Sequence, residues 1–260
     1  LKFHQLSLLH HDLGRRYAQE LSKIKTWKFD LIGLHGQTVF HAAPQATLQI
    51  GEASYLAANL HVPVVADFRV ADLAVGGQGA PIASLFHKIA FADQFKDSIV
   101  AVHNLGGISN LTLIDQRGKV QRAFDTGPAN MLIDLLVSQL SKDKMTYDKN
   151  GAWAAKGKPC VEVIKKIISE HEYFQKAPPK SCGREEFGEE FLKRFLKLLK
   201  GKSKQDLLAT VTDLTAQSIA HAYHQHLKSP PQKIILCGGG AKNKYLVSRI
   251  RFHLPKIEVI

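Results

Sequence analysis

An α/β fold is predicted for this chain by three features of its sequence. Short apolar runs of strand length alternate with longer segments whose apolar residues recur at helical spacing. A β-rich block between Ser98 and Asp125 gives way to a series of helices. Near the end, "KIILCGGGAKNKYLVSRIRFHL" reads as strand, glycine turn and helix, and "KIEVI" as one more strand. Hydrophobic residues make up 45% and charged residues 22% of the 260, the balance of an ordinary soluble globular protein with room for one large domain or two modest ones.

Taken in order, Leu9 to Lys25 carries Leu13, Tyr17, Leu21 and Ile24 at helical spacing. "FDLIGLHG", "ATLQIG" and "VPVVADF" are strand-like runs, with a helix expected over "EASYLAANL". "APIASLFHKIAFAD" is expected to be a helix that closes a first block near Asp93. Two β-rich runs then flank Gly106-Gly107, and a third follows the turn Asp115-Gln116-Arg117-Gly118, which makes a β-meander. Helices are expected over 130–141, 160–170, 187–200 and 206–227. A boundary near residues 94–98 divides the chain into domains 1–96 and 97–260. The chain opens on Leu1 rather than Met and closes in a strand, so both ends are expected to be cut.

Composition narrows the function classes. No apolar run approaches the ~18 residues that span a bilayer, and the N-terminus lacks the layout of a signal peptide. Three cysteines, Cys160, Cys182 and Cys237, are odd in number and none pairs at C-x-x-C spacing, so a reducing compartment is expected. The net charge of +12 raises nucleic-acid binding as a rival class. In "EEFLKRFLKLLKGKSK", however, Lys193, Arg194, Lys197 and Lys200 fall largely opposite Phe191, Leu192, Phe195 and Leu199, which reads as a solvated helix face. His35 with His41, and the trio His221, His224 and His226, have no carboxylate or cysteine at a metal-ligand spacing; structural or substrate-binding roles are expected, and no metal ligands are assigned.

Five stretches carry polar groups beside glycine. In "AFDTGPAN", Asp125 is expected at a strand end, ahead of a Thr-Gly-Pro turn and a helix start, either as a turn cap or as a functional carboxylate. "NLGGISN" is either a tight hairpin or a backbone surface for phosphate. "LCGGGAKN" is either a crowded strand–helix turn or a flat surface against a nucleotide. "GLHGQTVFH" places His35, Gln37 and Thr38 at a polar turn that could bond a sugar, and "ADFRVADLAVGGQGAP" sets Asp67, Arg69 and Asp72 before a glycine-rich loop, as an ion-pair cluster or part of a crevice. "PPKSCGREEF" leads through a rigid turn to Ser181, Gly183, Arg184 and Glu185 ahead of a helix.

The order of these stretches is more telling than any one of them. "HGQTVFH", "TLQIG", "VVADFR", "LAVGGQGAP", "NLGGISN", "FDTGPAN", "YDKNGAWAAKG", "PPKSCGREEF" and "CGGGAKN" together resemble the bacterial anhydro-N-acetylmuramic acid kinases from about Phe29 to the last residues. The resemblance implies two actin-like (RNase H-like) α/β domains around a nucleotide and substrate cleft, the first incomplete and on the sugar side, the second on the phosphate and adenosine side. It implies ATP and Mg²⁺ as cofactors and 1,6-anhydro-N-acetylmuramic acid as substrate. Water would be added across the anhydro bond and O6 phosphorylated, a step of peptidoglycan recycling. It also implies a cytoplasmic, homodimeric bacterial enzyme with no nucleic-acid or membrane partner.

Residue by residue, Asp125 falls on the family's general base. Asn104, Gly106, Gly107 and Asn110 fall on the second phosphate loop, and Gly238, Gly239 and Asn243 on the adenosine-side motif. Gln37, Thr38, Arg69 and Asp72 are candidates for holding the sugar or its neighbours. Ala129 stands where Gly is usual and Cys182 where Thr is usual. The family's opening Gly-Thr-Ser-x-Asp-Gly loop and its C-terminal segment have no counterpart here, and without that loop the γ-phosphate would lose donors. A non-catalytic sugar-binding relative is the alternative.

Overall fold

The computed structural model describes residues 2–24, 26–91 and 95–260, which group into two units, 1–82 and 83–260. In the first unit, helix α1 (Phe3–Ser22) is followed by strands β1 (Ile32–Gly33), β2 (Gln37–Ala42) and β3 (Ala46–Ile50). Helix α2 (Ser54–Leu60), strand β4 (Val64–Val65) and helix α3 (Phe68–Ala74) complete it. β2 and β3 form an antiparallel hairpin, and β1 pairs with β4 in parallel. The buried residues of α1 are small, Gly14 and Ala18, and the Glu52 N–H donates to the His10 carbonyl at 3.0 Å. Lys25, expected to end the first helix, lies outside the described residues.

One strand expectation fails here. Of "VPVVADF", Val64–Val65 is strand; Asp67 then takes a left-handed φ of 59°, and Phe68–Ala74 is helical. Asp is among the residues that tolerate the left-handed region, and that one residue breaks the extended run.

The second unit begins with α4 (Ala83–Phe91) and the meander β5 (Val100–Leu105), β6 (Ile108–Ile114) and β7 (Val120–Pro128). Helices α5 (Asn130–Ser141), α6 (Val161–Glu170), α7 (Glu172–Gln175), α8 (Arg184–Phe187), α9 (Glu189–Lys197) and α10 (Lys204–His226) follow, then β8 (Lys233–Cys237), α11 (Lys244–His253) and β9 (Glu258–Val259). The sheet runs β7-β6-β5-β8-β9, with β5 to β7 antiparallel and β8 and β9 parallel to β5. This mixed sheet among helices bears out the α/β class. The helix α4, expected to close the first block, instead packs on the meander through buried His87, whose Nδ1 lies 2.9 Å from Thr112 Oγ1. Asp93 and Gln94, named at the expected end of that block, lie outside the described residues.

The core gathers around α10, buried on nearly every side from Leu208 to Tyr223. Two hydroxyls of this covered helix bond back to its own carbonyls. The Thr210 hydroxyl donates to the Asp206 carbonyl at 2.6 Å and Ser218 to the Thr215 carbonyl at 2.9 Å. On α9, Phe191, Leu192 and Phe195 are buried while Lys193, Arg194 and Lys197 are exposed, which is the solvated basic face read from the sequence.

Asp213 is fully buried in the middle of α10. It accepts from Arg249 Nε at 2.7 Å and Gln217 Nε2 at 2.9 Å, with His253 Nε2 at 2.8 Å. Burial alone would raise its pKa, but the bonds from His253, Arg249 and Gln217 outweigh it and hold the carboxyl below the usual value. A depressed folded pKa means stability that is present above the unfolded value of ~3.9 and lost as pH falls through the folded one. Asp213→Ala should lower unfolding free energy by about 3–5 kcal/mol at neutral pH. In urea titrations its midpoint should also fall less steeply than the parent's as pH is lowered into the acid range.

Candidate active site

Gly106 and Gly107 form the tip between β5 and β6, where Asn104 pairs with Asn110. Asn110 pairs in turn with Asp125 on β7, and Asn104 with Cys237 on β8. Directly paired residues share a sheet face, so Cys237, Asn104, Asn110 and Asp125 form one polar row across four strands. Asn110 Oδ1 is buried without a hydrogen-bond partner. Such an orphaned acceptor marks a place where a ligand donor or cation would be favoured.

The structure corrects the local reading of "FDTGPAN". Thr126-Gly127-Pro128 is not a turn; β7 continues through Pro128. The pairing steps from Asn110–Asp125 to Ser109–Gly127, which leaves Thr126 as the extra residue of a β-bulge. Gly127 sits at φ 139°, and a Cβ there would stand 3.0 Å from the Phe174 ring. The helix start beyond is already occupied. Ala129 and Met131 N–H donate to the Gly107 carbonyl at 3.0 and 3.1 Å, Asn130 N–H to the Gly106 carbonyl at 3.0 Å, and Asn130 Nδ2 to the Leu105 carbonyl at 2.9 Å.

Asp125 is therefore held from elsewhere. It is 6% exposed, and the segment between α7 and α8 wraps it. Cys182 N–H donates to Asp125 Oδ2 at 3.0 Å, Asp125 N–H donates to the Lys180 carbonyl at 3.1 Å, and the Tyr173 hydroxyl donates to the Asp125 carbonyl at 2.7 Å. Burial and then the Asp125 carboxylate push the Cys182 thiol up, so it stays protonated. Lys180 is itself buried, with Nζ 3.1 Å from the Tyr173 carbonyl, 3.3 Å from His226 Nε2 and 4.8 Å above the Tyr173 ring. Burial brings its pKa down to about 8, and His226 falls to about 4 through burial and the neighbouring Lys180.

The glycine tips open on two adjoining cavities of the second unit. One, of about 1070 Å³, is lined by Gly106, Gly107, Asn130, Asp134, Gly183 and Arg184 among others. The second, of about 560 Å³, shares Asn130, Asp134 and Thr146 and reaches Tyr147, Asp148, Gly239 and Asn243. Asp125 lies in the polar row rather than in either lining. Gly238 has φ 80°, and a Cβ on it would stand 2.5 Å from Asn104 Oδ1, so the β8 turn can lie this close only as glycine. Asn243 caps α11, its Oδ1 accepting from Leu246 N–H at 3.0 Å.

In the first unit, Gln37 and Thr38 lie on β2 rather than at a turn. Gln37 Nε2 donates to the Thr38 carbonyl at 3.1 Å and Gln49 Nε2 reaches Thr38 Oγ1 at 3.4 Å. Arg69 and Asp72 lie on α3 and organise the glycine-rich loop. Arg69 Nη1 donates to the Gly79 carbonyl at 2.9 Å and its Nε to His35 Nε2 at 3.1 Å, while Asp72 Oδ2 accepts from Gly79 N–H at 2.7 Å.

The model of one protein family, described as anhydro-N-acetylmuramic acid kinase, matches residues 1–260. The chain belongs to this kinase family. The Crocosphaera subtropica anhydro-N-acetylmuramic acid kinase is 40% identical over 275 residues, covering 100% of this chain and 71% of its own length. Its counterpart from Acaryochloris marina is 41% identical over 261 residues, covering 95% and 68%. The Microcystis aeruginosa one is 41% identical over 268 residues, covering 98% and 70%.

Three residues of this family member were not singled out from its sequence. Asn130 ties the hairpin to α5, Asp134 faces both cavities, and Asp148 accepts from the Trp153 and Ala154 N–H groups at 2.9 Å each. Asn130 and Asp148 stood inside stretches that carried the family resemblance, so a signal was present. Asp134 sat in an ordinary amphipathic run. Burial lifts its pKa to about 6, and a raised carboxyl pKa makes the folded state bind more protons, so stability falls as pH rises through that value. Asp134→Asn should be more stable than the parent at pH near 7.5. Calorimetric scans should show that advantage shrinking as the buffer approaches pH 4.

Proposed function

We propose that this chain is an ATP-dependent kinase that opens 1,6-anhydro-N-acetylmuramic acid with water and phosphorylates O6, giving N-acetylmuramic acid 6-phosphate. The observation that carries the reading is the placement of Asp125, in line with Asn110 and Asn104 beneath the Gly106-Gly107 tip, in a chain of that family. The relatives named above are kinases, which favours catalysis over the non-catalytic sugar-binding alternative.

Asp125 acts as the general base. Water is a poor nucleophile, and a fixed carboxylate that takes its proton in the transition state lowers the barrier. The water oxygen bonds to the anomeric carbon, the bond from that carbon to O6 breaks, and O6 accepts the γ-phosphoryl of ATP as ADP leaves. The proton taken by Asp125 passes to solvent. The Cys182 N–H on Oδ2 orients the carboxylate and stabilises its charged form.

The phosphates are assigned to Gly106, Gly107, Asn104 and Asn110, and the adenosine to Gly238, Gly239 and Asn243. The adjoining cavities and the close approach at Gly238 support this placement. Mg²⁺ keeps phosphates and waters as most of its ligands, and the orphaned Asn110 Oδ1 fits as the protein's share. When bound it neutralises charge on the phosphates. Gln37, Thr38, Arg69 and Asp72 are assigned to the sugar side, Arg69 and Asp72 through the loop that they hold in place. The second unit is thus the phosphate and adenosine domain.

With MgATP and the anhydrosugar in ¹⁸O-enriched water, the phosphosugar should carry the label. Asp125→Asn should lose about 10²–10⁴-fold in turnover with its fold intact by circular dichroism. An unlabelled product, or an unchanged rate in the variant, would count against the base.

A further inference from the structure

On the sheet face away from Asp125 runs a buried chain of hydrogen bonds that the reaction above does not use. Thr126 Oγ1 donates to Ser109 Oγ at 2.8 Å, Ser109 Oγ lies 2.6 Å from His103 Nε2, and His103 Nδ1 lies 3.1 Å from the Tyr223 hydroxyl. All four residues are buried. Burial takes the imidazole down to about 3, so it is neutral, with one N–H and one lone pair. The imidazole thus donates to one and accepts from the other of Ser109 and Tyr223, joining Thr126 and Ser109 to α10.

Its far end is the extra residue of the bulge. A bulged residue is unpaired in the ladder, so ladder bonds do not fix Thr126; its side chain does. The register on either side is Asn110–Asp125 and Ser109–Gly127. A slip of one residue would turn Asp125 to the opposite face, where Phe124 and His103 are buried. Tyr223 belongs to α10, buried on nearly every side, so the bulge is anchored to the middle of the unit's core.

We infer that Thr126, Ser109, His103 and Tyr223 are positioning residues, a buried strut that pins the bulge and so keeps the Asp125 carboxylate in the Asn104–Asn110 row beneath the Cys182 N–H. The inference rests on the reading of Asp125 as general base. It concerns how the base is aimed, not what it does.

The test is Thr126→Val, which keeps the side-chain shape and removes the donor, with Thr126→Ser as the conservative rescue. The strut predicts kcat down by about ten- to a hundredfold with KM for sugar and ATP nearly unchanged, and most of the rate restored in Thr126→Ser. Hydrogen exchange supplies a readout free of turnover: the Cys182 amide should exchange at least about tenfold faster in Thr126→Val, while the Leu214 amide in α10 keeps its protection. If Thr126→Val does not fold, Ser109→Ala removes the middle link and is read the same way. Parent-like exchange at Cys182, a loss confined to KM, or equal loosening of Cys182 and Leu214 would each overturn the strut. Asp125→Asn run alongside separates the two claims. Parent-like turnover in that variant sinks the base, and the exchange data then decide the strut alone.

Discussion

The first amides of α5 are spent on the carbonyls of Gly106 and Gly107, and much of the site follows from that. A helix start normally offers spare N–H groups and partial positive charge to an anion. Here they bind the hairpin to the helix instead. The carboxylate at Asp125 cannot be served by those donors. It is served by a segment more than fifty residues further along, through Cys182 N–H. The Asp125 carboxylate and the Gly106-Gly107 tip thus have separate hydrogen-bond supports on a shared sheet.

Local pattern made much of the fold legible. The meander, the helix over 130–141, and the strand–glycine–helix run at the end all lie where periodicity and turn residues place them. What escaped depends on long-range pairing. The bulge at Thr126 exists because β6 and β7 are out of step by one residue, and nothing in "FDTGP" read alone distinguishes a bulged strand from a turn. The partnership of Asp125 with Cys182 and Lys180 joins two stretches that the sequence presented as separate motifs. Arg69 and Asp72 were legible as a charged pair beside a glycine loop, but their grip on Gly79 follows from α3, which begins inside a run that read as strand.

The polar residues of the interior divide by what they hold. Asp213 holds α10 to α11, His103 holds the bulge to α10, and Lys180 holds its own segment to Tyr173 and His226. Each is buried and each has partners, as most interior polar groups do. The aromatic stack of His171, Phe174, Phe187 and Phe191 fills the space behind that segment, with His171 and Phe187 stacked at 5.3 Å. Packing of this kind holds a loop in place through buried contact rather than ladder bonds.

That hold has a second use. β7 is an outer strand of its sheet, and an outer strand with open backbone groups is a template for another chain. At Asp125 both backbone groups are taken: the N–H by the Lys180 carbonyl and the carbonyl by the Tyr173 hydroxyl. On the opposite margin β9 is two residues long. The segment that holds the carboxylate thus also covers the outer edge of the sheet at that point, and one stretch of chain meets both demands.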